Sequence, residues 1–183
     1  NNLVGDRKLK FSVVRYGNVL SSRGSFVPLL KILSKDKNKI IPITHKNMTR
    51  FWITLKESVD LVEKALNAMK GGEVFIPKIP SVKVVDLPKV ICPNNKIKFV
   101  GIRPGEKLHE QMIGFEDAPY TYEYKDHFKI LPSINGWSEC KRRKNGGMLV
   151  SQDFSYSSDN NKVWMKPNEL NAWIKYNSSL LRH

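Results

Sequence analysis

One stretch constrains this chain more than any other, the run from Met48 to Gly72, MTRFWITLKESVDLVEKALNAMKGG. An aromatic, strand-like segment feeds directly into an amphipathic helix. Thr54 stands at the N-cap and Glu57 three residues later, the spacing at which each side chain satisfies a backbone donor of the other. Val59, Val62, Leu66 and Met69 recur at helical steps, with Leu61 and Ala65 widening the stripe, and Gly71-Gly72 supplies a left-handed exit. Arg50 falls outside this folding logic. It lies just ahead of Phe51-Trp52-Ile53, where a half-buried guanidinium is costly unless it meets an anion. Two readings stay open: an arginine stacked on Trp52 or paired with a carboxylate, or a phosphate clamp at the mouth of a site.

Strand-like and helix-like segments alternate on either side of this run. Residues 10–17, KFSVVRYG, read as a strand buried on both faces, followed by a polar loop over 18–25. Residues 26–33 read as a short helix, 40–44 as a strand whose Pro42 marks a sheet edge, and 73–79 as another strand. A helix is expected over 86–92 and a strand over 96–102. RPGEKLHEQMI (103–113) reads as a turn and a short helix with Leu108, Met112 and Ile113 inward. Weaker strands are expected at 120–124 and 127–131, an irregular basic segment at 133–151, and a closing helix after Pro167. The class is α/β, without internal repeats.

Composition matters where it limits the partners. In 183 residues, 31 Lys and Arg face 17 acids, a net charge of +14 that favours anionic ligands without choosing among them. Lys141-Arg142-Arg143-Lys144 lacks the interleaved aromatics of a base-stacking surface. The two cysteines, Cys92 and Cys140, form no CxxC pair, and the four histidines show no metal-ligand spacing, so a reducing compartment and no metal are expected. No apolar run reaches the ~20 residues of a membrane helix. The chain begins with Asn-Asn rather than Met, and is expected to be a piece of something longer.

Asn18, Arg50 and Arg103 each stand beside an expected strand end, where open α/β sheets bind ligands; two guanidiniums and a carboxamide there suit a diphosphate. Catalytic motifs are scarce. There is no GxGxxG, no GxxxxGK[ST], no Tyr-x-x-x-Lys and no GxSxG. Glu106 and His109, three apart, read either as an acid/base pair or as a helix-start acid with an exposed histidine.

RYGNVLSSRGS (15–25), MTRFWIT (48–54), GGEVFIPKIPS (71–81), GIRPGEKLHEQMI (101–113) and YSSDNN..W (156–164) follow in the order and spacing of a known family. The chain resembles the carboxyl-terminal half of the inverting UDP-N-acetylglucosamine 4,6-dehydratases of pseudaminic acid biosynthesis, which are extended short-chain dehydrogenase/reductases. The resemblance implies the last strand or strands of a Rossmann sheet plus a small substrate-binding domain across 1–183, with the amino-terminal NADP-binding domain outside the chain. It implies that Asn18, Arg50, Arg103 and Glu106 contact the nucleotide sugar, with Arg23 and Ser25 in the loop lining the sugar and Tyr16 near the nicotinamide. It places the catalytic groups upstream, so none is expected here. It further implies UDP-N-acetylglucosamine as partner, no nucleic acid or membrane, a cytoplasmic homo-oligomer, and a fragment inactive alone. Ser21 departs from a glycine of close relatives, and Val85 from a capping hydroxyl, a loss of about 1 kcal/mol at that helix start. The alternatives are a sister enzyme such as a UDP-sugar 4-epimerase and, in a different class, a basic nucleic-acid-binding module.

Overall fold

The computed structural model describes residues 9–20, 22, 25–133, 144 and 146–179. Arg23, Ser21, Cys140 and residues 141–143 of the basic run lie outside them. The chain divides into two compact units. The first comprises residues 1–16, 56–78 and 111–157, the second residues 17–55, 79–110 and 158–183.

The first unit is built on a five-stranded sheet. Strand β1 (Val13–Val14) pairs parallel with β5 (Val74–Pro77). Antiparallel pairings then add β10 (His127–Ile130), β9 (Thr121–Glu123) and β11 (Met148–Leu149). A second ladder joins β8 (Gln111–Ile113) to β12 (Tyr156–Ser157). The strand expected at 10–17 is present but shorter, and it lies at an open edge, as a two-faced strand with most of its partners outside the chain would. Its backbone bonds to the β5 segment at Phe11, Val13 and Arg15, and Phe11 and Val13 are 55% and 46% exposed instead of buried on both faces. The central helix, α2 (Leu55–Ala68), starts where its capping residues predict, and the chain leaves through Gly71 and Gly72 at φ 110 and 88. Its buried row is Ser58, Leu61 and Ala65, whereas Val59, Val62 and Leu66 are exposed. The apolar stripe is two rows wide, and this unit covers one of them. The chain after α2 is fixed by Glu73, whose buried carboxylate accepts from the amides of Lys70 and Gly71 at 2.9 and 2.8 Å and from Ser12 Oγ at 2.9 Å. A carboxylate out of water persists only with such donors.

The second unit holds a three-stranded sheet in the order β2 (Asn18–Val19), β4 (Thr49–Ile53), β6 (Ser81–Lys83), and a two-stranded ladder of β3 (Ile41–Ile43) with β7 (Ile97–Phe99). In the two-stranded ladder Pro42 sits on an edge strand, as its missing N–H requires. Helices α1 (Phe26–Leu33), α3 (Asp86–Ile91) and α4 (Pro167–Ser179) contribute Val27, Leu30, Leu87, Leu170 and Ile174 to one apolar core with Ile41, Ile43, Trp52 and Val82. Val85, at the start of α3, offers no side-chain cap, as its loss of a hydroxyl predicts. Strand β4 is the middle strand, and every residue of it except Arg50 is buried. That explains the unbroken aromatic run in the sequence.

Candidate functional site

Within the second unit a cavity of about 220 Å³, partly open to solvent, lies where β2 and β4 run side by side against the start of α1. That is smaller than the roughly 300–1,000 Å³ of a typical ligand pocket, so it is room for part of a nucleotide sugar. Trp52 and Leu87 supply apolar wall, and the polar groups facing it include Asn18, Ser25, Arg50 and Glu106. Four of the seven residues expected in a site therefore share one cavity.

Asn18 is brought there by register. β2 pairs parallel with β4, setting Asn18 against Trp52 and Val19 against Ile53. Gly17 makes the approach possible, since a Cβ on it would stand 2.5 Å from the Phe51 Cβ and carbonyl oxygen. Ser25 ends the polar loop as the residue preceding α1, in extended conformation and without a capping hydrogen bond. The residue lines the cavity, and its Oγ is buried with no hydrogen-bond partner among the described residues.

Arg50 is paired with a carboxylate, as the first reading of its sequence position has it, and it also lines the cavity. Its Nε lies 3.4 Å from a Glu110 carboxylate oxygen. Its Nη1 donates to the carbonyls of Thr49 and Leu108 at 2.7 and 3.2 Å, and its Nη2 to Lys107 at 2.9 Å. A guanidinium carries five N–H donors. These contacts leave one Nη2 hydrogen uncommitted, on a side chain that lines the cavity and is 16% exposed. Arg50 thus brings a fixed positive charge and a single free donor rather than an open bidentate fork.

The segment after β7 departs from its expected form. Residues 103–110 are turn and coil, not helix, and the chain straightens into β8 at Gln111. Glu106 N–H donates to the Arg103 carbonyl at 3.0 Å, and Arg103 N–H to Glu106 Oε2 at 3.0 Å. Gly105, at φ +83, closes the turn with a backbone conformation that a helix cannot continue. Glu106 reaches the cavity, whereas Arg103 is exposed and does not line it. Tyr16, 40% exposed, belongs to the first unit and lines no part of this cavity. Among the described residues no group of His, Cys, Asp and Glu is arranged to hold a metal ion.

Sequence reasoning missed Thr49, Glu110 and Ser158. Thr49 Oγ1 lies 2.7 Å from both His109 Nδ1 and Ser158 Oγ, and Ser158 Oγ accepts from the Glu110 amide at 2.9 Å. A signal was present, since Thr49 and Ser158 sit inside the MTRFWIT and YSSDNN..W motifs. His109, read as exposed or as an acid/base partner of Glu106, is instead a hydrogen-bonded neighbour of β4.

The alternation of helices with partly parallel sheets, and a cavity at the strands of one of them, define an α/β protein. Consistent with that class, the chain superposes on the X-ray structure of Pen from Bacillus thuringiensis with a TM-score of 0.81 and 29% identity, over 97% of this chain and 53% of that one. Residues 1–132 match the model of the family described as polysaccharide biosynthesis protein, and the chain belongs to that family. It is 47% identical over 93% of its length to the UDP-N-acetylglucosamine 4,6-dehydratase (inverting) of Campylobacter jejuni, covering 52% of that protein. It is 34% identical over 85% of its length to the UDP-glucose 4-epimerase of Rickettsia bellii, covering 46% of it. The chain spans about half the length of the curated relatives it matches.

Proposed function

We propose that this chain supplies the nucleotide-sugar-binding part of an inverting UDP-N-acetylglucosamine 4,6-dehydratase acting in pseudaminic acid synthesis. The observation that carries this reading is the cavity of the second unit, lined by Asn18, by Ser25 with its hydroxyl unpartnered among the described residues, and by the Arg50 cation. A cation with a free donor attracts a diphosphate, and the carboxamide and hydroxyl offer neutral hydrogen bonds to it or to the sugar. Glu106, an acceptor on the same wall, suits a ribose hydroxyl. The greater identity to the dehydratase favours it over the epimerase.

In such an enzyme NADP would take up and return a hydride. Tyr16, 40% exposed and outside the cavity, is the one described residue that the family resemblance sets beside NADP. We assign cofactor binding and proton transfer to the half of the relatives that the chain does not span. The exposed β1 edge with Phe11 and Val13 supports that division, because an open strand edge is a template for further pairing. The whole enzyme is then a cytoplasmic homo-oligomer. For the chain itself, no helix among the described residues is long and apolar enough to cross a membrane.

Two measurements test the reading. Calorimetric titration of the chain with UDP should show saturable binding, and its absence would remove the cavity as a nucleotide site. Joined to the amino-terminal half of the Campylobacter relative, the chain should yield a 4-keto-6-deoxy sugar with loss of water. Recovery of only a C4-epimerised UDP-sugar would place it with the epimerases instead.

A further inference from the structure

Between Lys107 and Glu110 the backbone is held at Lys107, Leu108 and Glu110, and the His109 side chain between them meets one buried hydroxyl. The Lys107 and Leu108 carbonyls accept from the Arg50 guanidinium, and the Leu108 carbonyl also accepts from the Thr49 amide at 3.1 Å. The Ser158 amide donates to the Glu110 carbonyl at 2.7 Å, and the Glu110 amide returns a bond to Ser158 Oγ. Between these two anchorages stands Thr49 Oγ1, 2.7 Å from Ser158 Oγ and 2.7 Å from His109 Nδ1. Thr49 is 4% exposed and Ser158 fully buried, so water cannot replace a lost partner there.

Donor arithmetic gives the chain a direction. Ser158 Oγ accepts from Glu110 N–H and passes its own hydrogen to Thr49 Oγ1. Thr49 then donates to His109 Nδ1, which acts as acceptor. In this arrangement each buried hydroxyl both donates and accepts. It ties the segment carrying Glu106 and the Arg50-binding carbonyls to β4, and so fixes the Arg50 side chain at the cavity wall.

We infer that Thr49, His109 and Ser158 form a hydroxyl–imidazole clasp that positions Arg50 and Glu106 for an anionic nucleotide, without touching it. His109 is therefore a positioning residue, not a general acid or base. The inference rests on the cavity being a nucleotide site. A side chain held by several backbone carbonyls keeps its geometry only while those carbonyls stay in place, and small displacements in a binding constellation weaken it strongly.

The test is UDP titration of the chain and its variants. Thr49→Val keeps the shape and removes the hydroxyl, and should weaken UDP binding by about tenfold. Thr49→Ser restores the hydroxyl while removing the methyl, and should stay within about twofold of the parent. A pure packing role predicts the opposite order, which would overturn the clasp, as would unchanged affinity in a folded Thr49→Val. If Thr49→Val does not fold, His109→Ala, at a side chain 29% exposed, replaces it. A similar loss, largely recovered by His109→Asn with its carbonyl oxygen in place of Nδ1, supports the clasp; unchanged affinity in His109→Ala overturns it. If the parent chain does not bind UDP, the nucleotide reading fails and amide hydrogen exchange decides the clasp by itself. Faster exchange at Glu110 in Thr49→Val, restored in Thr49→Ser, supports it, and equal exchange in all three overturns it.

Discussion

Both units bury polar groups, but they use them differently. In the first, they are consumed internally. Glu73 is met by two amides and a serine, and Lys129, 6% exposed, lies over the rings of Tyr124 and Phe75 at 4.8 and 5.7 Å. Tyr124 in turn stacks on His127 at 4.5 Å, and burial pushes its hydroxyl up to about 12. In the second unit Thr49 and Ser158 are likewise satisfied, but two residues of the cavity leave capacity over: among the described residues the Ser25 hydroxyl has no partner, and one Arg50 hydrogen is uncommitted. Saturated polar groups hold a fold together, whereas unsaturated ones that share a cavity mark where a ligand belongs.

The largest consequence is an all-or-none one. If the second unit binds and the chemistry lies in the unspanned half, the purified chain should give no dehydratase turnover. A 4-keto-6-deoxy product from it alone would erase the distinction between a binding portion and a catalytic one.

Next is the saturated carboxylate. Glu73→Ala strips the partners from the Lys70 and Gly71 amides, and should destabilise the first unit by about 3 kcal/mol in denaturant unfolding. UDP affinity, carried by the second unit, should hardly change. A parallel fall in both would show that the units do not keep their roles apart.

Arg50→Lys probes the unsaturated side. A single ammonium cannot reproduce contacts to Lys107, Leu108 and Glu110 together, so UDP affinity should drop by on the order of 1–3 kcal/mol. Arg103→Lys, on an exposed turn outside the cavity wall, should cost less than about 1 kcal/mol. The reverse ranking in calorimetry would move the diphosphate from Arg50 to Arg103.

Acid gives the smallest effect. The hydrogen bond from Lys64, with a second from His127, lowers Asp126 from its usual range to about 2. Burial lowers His127, against the opposing pull of Asp126. A depressed imidazole contributes stability above its unfolded value near 6.5 that is lost as pH falls below it. A depressed carboxylate contributes above 3.8, and that is lost on the way down to about 2. Both weaken the first unit on acidification. With Asp126 63% exposed its share should be under about 1 kcal/mol. Amide exchange followed from pH 7 to 3 should show the first unit loosening before the second, and the opposite sequence would contradict these assignments.

By itself the sequence determined the α/β alternation, the bounds of α1, α2 and α3 to within a residue or two, and two cavity-lining residues, Asn18 and Arg50, because capping, periodicity and strand-end position are local properties, whereas Ser25 and Glu106 came only with the family resemblance. It could not determine which row of the α2 stripe is buried, since Leu61 and Val62 are equally apolar and only the elements packed on the helix choose between them. Nor could it separate Arg50 from Arg103. Both are arginines beside an expected strand end, but carbonyls 57 and 58 positions away in the chain fold over one guanidinium and leave the other in solvent. The 103–113 segment reads as helical by composition, and Gly105 with the Arg103–Glu106 turn makes it extended. The Thr49–His109–Ser158 contact joins residues 60 and 109 apart. Bonds of that separation depend on the whole chain being closed, so only the tertiary structure could decide them.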